Sequence, residues 1–96
     1  MSKITLEGFI TVTDADMVGV LNELPNHIEL TRKETGCLVF NVTQDESDKS
    51  RFNVYEKFEN KESFERQQNR VRASMWGKIT KNVGRNYNIE GLSNKK

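Results

Sequence analysis

Residues 24–42 read Leu24-Pro25-Asn26-His27-Ile28-Glu29-Leu30-Thr31-Arg32-Lys33-Glu34-Thr35-Gly36-Cys37-Leu38-Val39-Phe40-Asn41-Val42. The first part extends a stripe at helical spacing, Met17, Val20, Leu21, Leu24, Ile28 and Thr31, the period of an amphipathic helix. The last part alternates, Leu38, Phe40 and Val42 against Val39, Asn41 and Thr43, the period of a strand. Gly36 stands between them, and glycine enters the left-handed conformation that ends a helix without steric cost. Helix, stop and strand are therefore expected here in that order. The same segment holds the chain's single proline, histidine and cysteine.

Upstream, Ile4, Leu6, Gly8, Ile10 and Val12 alternate with Thr5, Glu7, Phe9 and Thr11, which reads as a first strand. Thr13-Asp14-Ala15-Asp16 is a helix start, with Thr13 or Asp14 able to accept from the free amides of the first turn. Pro25 lacks a donor and crowds the preceding turn, so a kink or restart is expected near Leu24. Downstream, the polar run 44–50 separates the second strand from a third, in which Phe52, Val54, Glu56 and Phe58 alternate with Asn53, Tyr55 and Lys57. A short polar loop between two strands predicts a hairpin.

Asn60-Lys61-Glu62-Ser63 caps a second helix, whose stripe is Phe64, Gln68, Val71, Met75 and Ile79. Gly77 is expected to bend or end it, with a further turn reaching Val83. Residues 85–91 form a short last strand. The order strand, helix, strand, strand, helix, strand is the ferredoxin-like α+β arrangement βαββαβ, a four-stranded antiparallel sheet with both helices on one face. Residues 1–96 make one domain with a core over about 4–91 and a polar tail at 92–96. The other sheet face, which carries Phe9 and Tyr55, predicts a homodimer formed sheet against sheet.

Composition narrows the function classes. Hydrophobic residues are 34% of the chain and mean hydropathy is -0.75, a thin apolar supply that association would supplement. A net charge of +1 provides no global field for nucleic acid or an anionic membrane. No stretch approaches the ~20 apolar residues of a membrane span, and the first residues lack the apolar core of a signal peptide. Cytoplasmic localisation is the default expectation.

Several pieces of this chain, in this order, resemble the antibiotic biosynthesis monooxygenase domain, a branch of the dimeric α/β-barrel superfamily that includes quinol monooxygenases. They are Gly8-Phe9-Ile10; Leu24-Pro25-x-His27-Ile28-x-Leu30-Thr31-Arg32; Glu34-x-Gly36-Cys37-Leu38-x-Phe40; and Phe52-x-Val54-Tyr55-Glu56-x-Phe58. Then follow Phe64-Glu65-x-x-Gln68-x-Arg70, Ser74-x-Trp76 and Tyr87-x-Ile89-x-Gly91. The resemblance implies oxygenation of a phenol- or quinol-like aromatic by dioxygen with no cofactor, in a pocket between sheet and helices. Such chemistry needs an apolar chamber, a proton acceptor and donors that hold the phenolate oxygen.

Candidate site residues follow. His27, the sole imidazole, lies near the inward stripe of the first helix and is either the base or a structural histidine. Trp76 closes the second helix and walls the pocket or fills the core. Asn41, Asn53 and Tyr55 on the strands are substrate contacts if they face the helices and interface residues if they face a partner. Gln68 lines a cavity or satisfies a backbone group. Arg70 steadies a phenolate or pairs with an acid such as Glu56. Tyr87 offers a hydroxyl or is core. One departure stands out: many similar sequences carry His followed by Gln where this chain has Gln67-Gln68.

One cysteine with one histidine makes neither a metal-ligand set nor a supported thiol–base pair. Haem-degrading proteins of this fold use a histidine on the second helix, and none follows His27. Two other uses of the same pocket stay open: a non-catalytic, small-molecule-binding or stress-related dimer, and an isomerase- or decarboxylase-like proton-transfer enzyme.

Overall fold

The structure, a computed structural model, describes residues 3–91; the expected tail at 92–96 lies outside them. Seven elements follow in chain order: β1 Ile4–Thr11, α1 Asp14–Arg32, β2 Cys37–Gln44, β3 Arg51–Phe58, α2 Lys61–Ala73, α3 Met75–Ile79 and β4 Gly84–Glu90. The strands form one antiparallel sheet in the order β2-β3-β1-β4, which is the ferredoxin-like topology. No helix among the described residues is long and apolar enough to cross a membrane.

Residues directly opposite in neighbouring strands share a face, so the register sorts the sheet. Leu6 pairs with Glu56 and Ile89, Gly8 with Val54 and Tyr87, Ile10 with Phe52 and Arg85, and Phe40 with Glu56. This row looks toward the helices. Its apolar members Ile4, Leu6, Ile10, Val12, Phe40, Val42, Phe52, Val54 and Phe58 form the core with Val20, Phe64, Trp76 and Val83. The opposite face mixes Phe9, Val39 and Tyr55 with polar neighbours, and the Arg51 guanidinium lies 3.7 Å over the Phe9 ring.

The core requires close backbone contact at β1–β4. A Cβ on Gly8 would sit 1.9 Å from the Asn86 carbonyl oxygen, and a backbone atom cannot turn aside. β4 pairs only with β1 and is exposed at every residue.

Several local expectations are corrected. α1 continues as one helix through Pro25. Pro25 and Leu21, one turn apart, are both exposed, so water can serve the carbonyl that loses its donor. The buried residues of α1 are Val20, His27 and Thr31, while Leu21 is 44% exposed. α1 ends at Arg32, and Gly36 instead takes φ 91° in the turn into β2. Thr13 precedes α1 without a side-chain cap; its hydroxyl donates to Asp16. A register shift between Cys37 and Val39 turns Leu38 outward, to 48% exposure, as a bulge does.

The second helical region breaks at Ser74, not Gly77. Ser74 is extended, with ψ 172°, and its Oγ accepts from the Gly77 amide to start α3. A Cβ on Gly77 would meet the Val71 carbonyl oxygen at 2.2 Å, so glycine there permits the helix junction. The break resets the helical phase. Beyond it Met75 is 56% exposed while Trp76 points inward; before it, within α2, Gln67 is buried and Gln68 half-buried. Asn60 caps α2 as expected, accepting from Ser63 N at 2.8 Å.

Candidate functional site

Between the sheet and the helices lies a cavity of about 560 Å³, within the usual ~300–1,000 Å³ of small-molecule sites. Its sheet wall is Leu6, Ile10, Phe40, Val42, Val54 and Glu56, with Arg85 and Tyr87 from β4. Its helical wall is His27 from α1, Gln67, Gln68, Val71 and Arg72 from α2, and Trp76, Gly77 and Thr80 around α3. Lys81 and Val83 close the side toward β4.

His27 occupies the inward stripe of α1, where it stacks on Trp76 with ring centres 4.4 Å apart and planes 4° from parallel. Phe40 meets the imidazole edge-on at 5.2 Å. Its Nδ1 is buried without a hydrogen-bond partner. Burial, and secondarily the Arg70 charge, lower its pKa to about 4. His27 is therefore neutral at pH 7, and desolvation is the dominant cause.

Glu56 is the second titrating group of the chamber. Its place in the inward row of β3, between Val54 and Phe58, is dictated by strand alternation. It is 6% exposed, its Oε1 has no partner, and burial raises its pKa to about 7. A carboxyl so placed is poised to exchange a proton near neutrality. In the sequence Glu56 stands out only as a possible partner of Arg70, which pairs with Glu34 instead. The signal for its present role is a lone acid in the row Phe52, Val54, Glu56, Phe58.

Tyr87 reaches the cavity from β4, opposite Gly8. Desolvation, and then the neighbouring Glu56 charge, raise its pKa to about 12, so it stays protonated as a donor. Gln68 donates to Gln67 Oε1 at 2.8 Å. Thr80 Oγ1 donates to the Trp76 carbonyl at 2.6 Å, and the Thr80 carbonyl accepts from Arg85 at 2.9 Å.

The structure thus brings together His27, Trp76, Gln68 and Tyr87 of the expected residues. It places the others elsewhere. Asn41 lies on the far sheet face and accepts from Arg32 at 3.1 Å. Asn53, on the same face, accepts from Arg51 and donates to Asp45. Tyr55 pairs with Glu7 and Asn41 across the strands, also away from the helices. Their odd strand positions, opposite in phase to Val54 and Glu56, are the reason. Arg70 is outside the cavity wall as well; it pairs with Glu34 and donates to Thr31 Oγ1 at 3.0 Å, tying α2 to the end of α1. Gln67, marked in the sequence as a departure, is buried at 2% exposure and lines the cavity.

Comparison with known proteins agrees with this architecture. No curated protein matches the chain. Among solved structures, PA3566 from Pseudomonas aeruginosa superposes with a TM-score of 0.72 at 23% identity, covering 100% of this chain and 97% of its own. The "Putative antibiotic biosynthesis monooxygenase from Nitrosomonas europaea" gives a TM-score of 0.75 at 16% identity, covering 96% of this chain and 100% of its own. At these identities the likeness concerns the fold. The family model of antibiotic biosynthesis monooxygenases matches residues 4–73, most of the chain, from β1 through α2, including His27, Glu56 and Gln67. On that match the chain belongs to the antibiotic biosynthesis monooxygenase family.

Proposed function

We propose that the protein is a cofactor-independent monooxygenase that oxidises a small phenol- or quinol-type aromatic with dioxygen, working as a homodimer joined through the open sheet faces. The observation that carries this reading is Glu56: a buried carboxyl raised to about 7, with an unpartnered oxygen, in a cavity walled by Trp76, His27 and Phe40.

In this reading Glu56 takes the phenolic proton. His27 is too acidic as an imidazolium, at about 4, to hold a proton at pH 7, so its role shifts from base to neutral hydrogen-bonding group. The phenolate passes one electron to dioxygen, and the aryloxyl radical and superoxide join at a ring carbon. The peroxide anion takes back the proton held by Glu56, and the hydroperoxide so formed loses water, together with the hydrogen of that ring carbon, to leave a carbonyl. One oxygen atom enters the product, the other leaves as water, and Glu56 ends as the carboxylate it began as. Tyr87 and the Gln67–Gln68 pair supply donors for the developing oxyanion. The aromatic wall excludes water and orients the ring.

The test is oxygen uptake with a panel of reduced quinones and anthrone-like phenols, paired with anaerobic controls. Uptake equal to substrate consumed is expected. Product formed without oxygen indicates a proton-transfer enzyme, and saturable binding without turnover indicates a binding protein; either result rejects the oxygenase reading. Phe9, Val39 and Tyr55 on the uncovered face support the dimer, which sedimentation equilibrium checks directly.

A further inference from the structure

The charges around the cavity are not balanced. Arg72, Lys81 and Arg85 line it from α2, the segment after α3 and β4 respectively, and all three are exposed. The only acid in the lining is Glu56, which is buried and half protonated near neutrality. Among the described residues the ion pairs are Lys33–Glu29 and Arg70–Glu34, so none of the three cations has a carboxylate partner. Arg85 donates to the Thr80 carbonyl and hydroxyl, and Arg72 to the Asn69 side chain one turn back, all neutral partners that leave the charges unneutralised. In a chain of net charge +1 this local excess belongs to the cavity rather than to the whole surface. Cations at the edge of a low-dielectric cleft concentrate field toward its opening.

We infer that the cavity selects aromatic hydroxyl compounds bearing an anionic substituent, with the ring against Phe40 and Trp76 and the anionic group held by Arg72, Lys81 and Arg85. This rests on the proposed site and its aromatic ligand, but not on turnover. Apolar floor and cationic edge together fit an amphiphilic anion of the aryl-carboxylate type. A neutral quinol would leave the edge charges unused, and a wholly polar anion would waste the aromatic wall.

Calorimetric titration of a hydroxynaphthoic acid and its methyl ester tests this. The acid is expected to bind about tenfold more tightly at low salt, the advantage shrinking to about twofold at high salt as the exposed charges are screened. Lys81→Gln and Arg72→Gln should each reduce the acid's advantage about two- to threefold without changing ester binding. Equal affinity for acid and ester, a salt-independent preference, or binding of neither overturns the inference. Oxygen uptake is recorded on the same samples. Preference for the acid without uptake supports the inference while rejecting the oxygenase reading; uptake with equal affinities does the reverse.

Discussion

Glu56→Gln lowers oxygen uptake by about 10²–10⁴-fold, the range for losing a positioned general base, while the protein stays folded. The substitution keeps the shape of the side chain and removes a buried, unpaired acid, so chain stability near pH 8 should rise rather than fall. Linkage sets the sign. The folded-state pKa of Glu56 is about 7 against an ordinary 4.5. Its contribution to stability is thus complete below pH 4.5 and declines as pH rises through 7, by about 3 kcal/mol. His27 acts oppositely: lowered from 6.5 to about 4, its contribution is complete above pH 6.5 and lost as pH falls through 4, by a similar ~3 kcal/mol. Between pH 4.5 and 6.5 the two slopes cancel. Glu56→Gln should expose a stability that climbs with pH over that interval, and His27→Gln one that falls. Urea midpoints across pH measure both. Wild type and Glu56→Gln running parallel would mean that the carboxyl titrates normally, which removes it as the base.

Trp76→Ala should destabilise the protein by about 3–5 kcal/mol, the usual cost of truncating a core aromatic. That is a large part of the ~5–15 kcal/mol that holds a domain folded. The ring is 8% exposed, belongs to the core cluster and stacks on His27. α3 spans only Met75–Ile79, too short to persist without that anchor. The thermal midpoint should drop by about 12 °C or more at ~4–8 °C per kcal/mol. Trp76→Phe retains an aromatic surface and should lose far less. A midpoint unchanged in Trp76→Ala would show that the indole contributes to ligand contact alone.

Strand alternation made β1 and β3 legible, and with the helical stripe of α1 it set the element order and the ferredoxin-like topology. Errors arose where one residue controls phase. Ser74 interrupts the second helical region, so the stripe from Phe64 through Val71 does not carry on to Met75, which is exposed, and Trp76 takes the inward place. The bulge after Cys37 likewise reversed Leu38. Gln68 lines the cavity as expected, beside the more deeply buried Gln67. Asn41, Asn53 and Tyr55 have the chemistry of substrate contacts, but their phase sets them opposite the apolar row, on the face for which the sequence offered the interface alternative. Glu56 shares that row, but strand pattern alone does not reveal its burial, because that depends on how closely the helices cover the sheet. The pairing of Arg70 with Glu34 spans 36 positions, beyond any local pattern.

The contact between Trp76 and His27 also equips the chamber with an optical label. The chain has one tryptophan, and its indole forms part of the cavity wall, so its emission comes from the chamber alone. An imidazolium quenches a stacked indole more strongly than a neutral ring does. Excited above the absorption of the two tyrosines, light from this one indole therefore registers both the arrival of an aromatic guest and the protonation of its neighbour, with no added dye.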